Sequence, residues 1–113
     1  MPNHSVKLDQ VFQALADPTR RAVLQHLGGG AASTLELARP FDMALPSFTQ
    51  HLGMLEKVGL VRSKKSGRVR TYRLAPKRLQ EAEDWILDQR KLWERRLDQL
   101  DAHVLTMKEN EDE

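Results

Sequence analysis

Apolar residues at Leu8, Val11, Phe12 and Leu15 follow the i, i+3, i+4, i+7 spacing of a helix and predict one over residues 6–16. Asp17 suits an N-cap and Pro18 a first helical position, so a second helix starts there. It carries Ala22, Val23, His26 and Leu27 on one stripe and stops at Gly28 to Gly30. Ser33 or Thr34 can cap a short third helix, Thr34 to Phe41, kept brief by Pro40 near its end. A fourth helix, about residues 45–58, tolerates Pro46 in its first turn. It presents an apolar stripe of Phe48, Leu52, Met54 and Leu55, and ends at Gly59. Two strands, Leu60 to Lys65 and Arg68 to Leu74, flank Ser66 and Gly67, with Tyr72 and Leu74 on one face.

Beyond Pro76, residues 77–107 contain no Gly or Pro. Leu79, Ala82, Ile86, Gln89, Trp93, Leu97, Leu100, Val104 and Met107 recur every three or four residues, a helical seam with one stutter. Such a helix is about 45 Å long at 1.5 Å per residue. It overhangs so small a domain unless a second copy packs against it. Residues 108–113 read as a frayed acidic tail. The fold expected is mainly α with a small β-hairpin: one domain over residues 1–113, with a core at 6–76 and a long C-terminal helix at 77–107.

Charge changes the picture more than composition does. Net charge is only +2, but Lys57 to Gln80 holds nine Lys/Arg and no acid, while Glu81 to Glu113 holds eleven acids and five bases. Six of the cations lie on the hairpin, where like charges repel across the strands. A polyanion would compensate them. There is no cysteine, which removes disulfides, thiol redox chemistry and thiolate metal sites. No apolar run is long enough for a membrane span, and the N-terminus has no signal-like apolar region, so a cytoplasmic protein is expected. "GGGAAST" lacks the lysine of a phosphate-binding loop, and the four histidines are scattered, so an enzyme is not expected.

Third helix, turn, fourth helix and hairpin is the order of a winged helix-turn-helix. In that arrangement the fourth helix enters the major groove and its outward residues reach base edges. Ser47, Thr49, Gln50 and His51 fit those positions; Gln50 can pair with adenine in two-point fashion. Lys64, Lys65, Arg68 and Arg70, nearest the hairpin turn, fit phosphate contacts, whereas Arg62 and Arg73 sit nearer the body and read as structural. Thr34, at the start of the third helix, joins the DNA-contact set. Arg20 and Arg21 suit either phosphate contacts or ion pairs with the acidic last helix. Trp85 and Trp93, eight residues apart, fit a core or interface stripe better than a ligand-stacking pair. The competing reading is a protein-interaction adaptor that uses the long helix and the basic hairpin.

"FQALADPTRRAVLQHL" and "ELARPFDMALPSFTQHLGMLEKVGLVRSKKSGRVRTYRL" resemble the ArsR-type winged-helix transcriptional regulators. "WILDQRKLWERRLDQLD" resembles a branch often encoded beside a START-like (SRPBCC) protein. The resemblance implies a homodimeric repressor bound to a double-stranded operator of two-fold symmetry, its inducer unknown. First and last helices would form the dimer interface, with Leu8, Val11, Leu15, Ile86, Trp93, Leu97, Leu100 and Val104 in it. The chain departs from the metal-sensing members. "TLELARPFD" stands where their thiolate motif would be, and "DAH", Asp101 to His103, begins a last-helix site whose downstream histidine would fall one residue past Glu113. Neither metal nor cofactor is expected. Ala44 stands where many members have a capping serine.

Overall fold

The structure, a computed structural model, describes residues 3–112, with side chains described for residues 7–110. Its elements are α1 (Asn3–Leu15), α2 (Pro18–Leu27), β1 (Ala32–Ser33), α3 (Thr34–Ala38), α4 (Leu45–Lys57), β2 (Val61–Ser66), β3 (Val69–Leu74) and α5 (Pro76–Asp112). By tertiary contact the chain divides into two units, Met1–Ala82 and Glu83–Glu113, so the division falls inside α5.

The first unit holds the core. Val11, Ala14, Val23, Leu27, Leu37, Phe48, Leu52, Leu55, Leu60, Val61, Tyr72 and Ala82 are buried together. The stripe expected on α4 is there, with Phe41 tilted against Phe48 at 5.3 Å between ring centroids. Met54 is only partly buried at its edge. Val11 corrects the interface expectation: it is 1% exposed, inside the core of its own unit. Of the α1 interface set, Leu8 and Leu15 remain half-buried at the core's margin.

The sheet has three strands, not two, in the order β1-β3-β2 and antiparallel throughout. Ala32 pairs with Tyr72 and Ser33 with Thr71. Ser33 then caps α3 in a capping box: its hydroxyl accepts from the Glu36 N–H, and the Glu36 carboxylate accepts from the Ser33 N–H, each at 3.2 Å. One serine thus closes a strand and opens a helix. α3 stops at Ala38, earlier than expected, ahead of Pro40.

The hairpin loop is Gly67-Arg68, one residue later than expected, since Ser66 pairs with Val69. Gly67 has φ +62° and Arg68 is not positive, the pattern of a two-residue turn with glycine first. Gly59 closes α4 in a Schellman motif, the Leu60 N–H reaching the Leu55 carbonyl and the Gly59 N–H the Glu56 carbonyl. Its φ is +85°, and an added Cβ would lie 3.0 Å from Arg78 Cγ. Gly59→Ala should therefore lower stability by about 1–2 kcal/mol, measured as a fall in denaturant midpoint. Adding Arg78→Ala should relieve the contact but leave the backbone strain.

The second unit is the rest of α5. The helix continues through residues 108–112, where a frayed tail was expected; Glu113 lies outside the described residues. At 37 residues α5 is about 56 Å long. Ile86, Trp93, Leu97, Leu100, Val104 and Met107 all lie exposed along it, Trp93 at 55% and Leu97 at 59%. Among the described residues no helix is long and apolar enough to cross a membrane.

Candidate nucleic-acid interface

α4 begins at Leu45 after Ala44, which makes no side-chain cap bond, with Pro46 in the first turn. Ser47, Thr49 and Gln50 are exposed, opposite the buried Phe48, Leu52 and Leu55. The Thr49 hydroxyl donates to the Pro46 carbonyl at 3.0 Å, which leaves its lone pairs to accept from outside. Ser47 and Gln50 stand on that solvent face as expected.

His51 departs from the outward set. It is half-buried at 24% side-chain exposure and faces the start of α2. Its Nδ1 lies 3.2 Å from an Arg20 terminal nitrogen and 3.7 Å from Asp17 Oδ2. A guanidinium can only donate, so Nδ1 accepts and the ring proton of the neutral form sits on Nε2. Arg20 also donates from Nε to the Ala14 carbonyl (2.8 Å) and from its other terminal nitrogen to the Gln13 carbonyl (3.0 Å). Arg21 donates to the Leu15 carbonyl at 2.7 Å. The two arginines cap the C-terminal carbonyls of α1. Arg20 thereby joins α1, α2 and α4.

Asp17 completes this joint as the N-cap of α2, its carboxylate accepting from the Arg20 N–H at 2.9 Å. That backbone bond, opposed by partial burial and helped by the nearby Arg20 charge, holds its pKa below the ordinary 3.8. A depressed carboxylate stabilises the fold above its unfolded pKa, and this contribution is lost as pH falls through the folded value. Asp17→Asn keeps a capping oxygen but does not titrate. Its unfolding free energy should lack the part of the wild-type decline that begins near pH 3.8, read from denaturant melts between pH 7 and 2.

The hairpin meets α4 through a lone acid. Glu56, in the last turn of α4, accepts from the Ser63 N–H at 3.1 Å and the Ser63 hydroxyl at 2.7 Å. That hydroxyl accepts from Arg70 at 2.8 Å. The carboxylate satisfies an outward N–H of the edge strand β2 and fixes the hairpin to the helix. Neither Glu56 nor Ser63 stands out from sequence as a site residue. An acid just ahead of a run of cations, and a serine alternating with Val61, are the available signals.

The register sorts the cations by face. Val61, Ser63 and Lys65 stand opposite Leu74, Tyr72 and Arg70, on the face that carries the buried Tyr72. Burial pushes the Tyr72 hydroxyl pKa up. Arg62, Lys64 and Ser66 stand opposite Arg73, Thr71 and Val69 on the other face. Lys65 and Arg70 therefore share the inner face, Lys64 lies on the outer one, and Arg68 lies in the turn. Arg62 and Arg73, expected to be structural, are exposed. Thr34 is half-buried, its hydroxyl 3.5 Å from the Arg70 carbonyl, a long contact beside the hairpin. Among the described residues no three His, Asp or Glu side chains converge to hold a metal ion.

A helix-turn-helix domain family matches residues 15–64, which spans α2, α3 and α4. The transcriptional repressor SdpR of Bacillus subtilis is 32% identical over 81 residues, 72% of this chain and 90% of that protein. The crystal structure of an ArsR family transcriptional regulator is 51% identical, covers 80% of this chain and 93% of its own, and superposes with a TM-score of 0.77. A homodimeric winged helix-turn-helix DNA-binding domain of Mycobacterium bovis, a possible ArsR-family regulator solved in solution, is 25% identical. It covers 76% of this chain and 82% of its own, with a TM-score of 0.59. Paired helices with a wing behind them, and likeness over nine-tenths of a relative's length, have one reading: the chain belongs to the ArsR family of winged helix-turn-helix transcriptional regulators.

Proposed function

We propose that this regulator is a homodimeric repressor that reads a two-fold symmetric operator with α4 and grips its phosphates with the wing. The observation that carries this reading is the Glu56–Ser63–Arg70 chain. It ties a solvent-facing helix bearing Ser47, Thr49 and Gln50 to a hairpin bearing exposed cations. Residues 6–76 form the DNA-binding part and residues 77–107 the dimerisation helix. Ser47, Thr49 and Gln50 face bases; Lys64, Lys65, Arg68 and Arg70, with Thr34 beside them, face backbone. His51 reaches a phosphate only through its Nε2–H, because Arg20 occupies Nδ1. The α5 seam, with Leu8 and Leu15 of α1, meets its equivalent in a second copy. SdpR is named a repressor, and the M. bovis domain is described as homodimeric; both lend support.

The chemistry offered is binding rather than catalysis, in the cytoplasm, with no thiolate or metal in the switch. Selection from a random-sequence duplex pool tests the reading. It should enrich an inverted repeat with half-site centres one helical turn apart, about 34–36 Å, or a multiple of that. Selection that enriches no sequence would favour the adaptor reading.

A further inference from the structure

α4 carries a glycine that its own fold does not require. Gly53 lies in the interior of the helix and is exposed. Its φ is not positive, unlike those of Gly59 and Gly67, which serve a helix end and a turn. A Cβ added at Gly53 would meet no heavy atom within 4 Å beyond its chain neighbours and the helix's own nearby backbone. An alanine would therefore fit there without strain. Glycine meanwhile weakens a helix interior, because it has the most backbone freedom to lose on folding. The fold is less stable for having Gly53, and no packing, turn or cap within the described residues accounts for it. A local rule broken without compensation inside the chain points to a demand from outside it.

The place of Gly53 on the helix locates that demand. It follows Gln50 by three residues and Thr49 by four, and it precedes Lys57 by four, so these residues share one side of α4. That side is the solvent face, opposite the buried Phe48, Leu52 and Leu55. We infer that Gly53 is a positioning residue for base readout: its missing side chain lets the α4 backbone lie close to the floor of the major groove, one turn beyond Gln50. This rests on the DNA-binding reading above. A major groove is about 12 Å wide, and a helix with its side chains is about 10–12 Å across. So little clearance remains that one methyl group on the groove face changes the depth or tilt of the helix. Gln50 pairs with adenine at two points only when its amide meets the base edge in line, and a tilt weakens both bonds together. Gly53 contributes space rather than a bond of its own, and it acts through Gln50.

The test uses the full chain, a selected operator and random DNA. Gly53→Ala should raise the denaturant midpoint, because alanine is the better helix former. Its affinity for the operator should nonetheless fall by about tenfold or more, the share of a two-point base contact. Binding to random DNA and the log–log salt slope should barely change, since phosphate contacts hold that complex without seating the helix on bases. A double-mutant cycle with Gln50→Ala then reads the coupling. Loss of Gln50 should weaken operator binding by about tenfold or more in wild type, and by less than about twofold in the Gly53→Ala background. A glycine that mattered only to the helix itself would show no such coupling. Wild-type operator affinity in Gly53→Ala overturns the inference and leaves the DNA reading intact. So does a lower denaturant midpoint, which would return the glycine to the fold. So does equal weakening on operator and random DNA. So does a Gln50→Ala effect of the same size in both backgrounds. Failure of wild type to select any duplex is the separate failure of the DNA reading itself.

Discussion

Trp93→Asp with Leu97→Asp should convert a dimer into monomers at micromolar concentration and remove high-affinity operator binding. Both side chains lie more than half exposed on the α5 seam, at 55% and 59%. An apolar stripe of this length is what an interface leaves uncovered in an isolated chain. Burying each such side chain contributes about 1.5–3 kcal/mol. Two-fold symmetry counts every substitution twice. The four new carboxylates would also face desolvation in the same seam. A combined loss on the order of 8 kcal/mol moves a dissociation constant by more than about five decades. Sedimentation velocity measures the species, and circular dichroism checks that the first unit stays folded. Two half-sites then no longer act together, so operator affinity should drop by about 10²–10⁴-fold. Leu105→Asp is the control. That leucine is also exposed, at 60%, but lies roughly a third of a turn round the helix from the seam. It should remain dimeric. A double variant that still sediments as a dimer would move the interface elsewhere on the chain.

The helices are legible in the sequence because each has a period, a cap or a breaker. Asp17-Pro18 and Gly59 mark boundaries that the structure keeps within a residue or two. β1 is not legible: two residues cannot display a period of two, and Ala32–Ser33 forms a strand only because Tyr72 and Thr71 offer an edge. Val11 differs from its expected place for another reason. Helical spacing identifies an apolar stripe but not which of two apolar neighbours it meets, and the core takes Val11 while leaving Leu8 and Leu15 at its margin. The same limit applies to the site. Composition locates the basic hairpin, but register divides its cations between two faces, and register depends on where the turn begins. His51 lies on the polar side of α4 by spacing, yet the carbonyl ends of α1 hold Arg20 against it. That arrangement is tertiary and leaves no local signature.

The recognition helix and the wing should fail in different ways when altered. Gln50 is exposed on α4, where an amide can pair with adenine at two points. Gln50→Ala should cost about 1–3 kcal/mol on the operator and little on random DNA, with the salt slope almost unchanged. Lys65 and Arg68, on the inner face and in the turn, make no described hydrogen bond or ion pair to another described residue. Lys65→Ala with Arg68→Ala therefore removes charge without breaking a bond of the fold, whereas Arg70→Ala would also strip the Ser63 hydroxyl of its donor. The double variant removes up to four cations per dimer. Its salt slope should flatten by about 0.9 for each phosphate left without a cation, and so by up to about 3.6. Operator and random DNA should weaken by similar factors, because phosphates carry no sequence. A larger loss on the operator would mean that Arg68 reads the width of a minor groove. Filter binding of both variants to both DNAs at several salt concentrations separates these outcomes. If the wing variant keeps wild-type affinity and slope on the operator, the inner face and tip of the hairpin do not touch DNA. Its cations must then be compensated by an acidic protein surface.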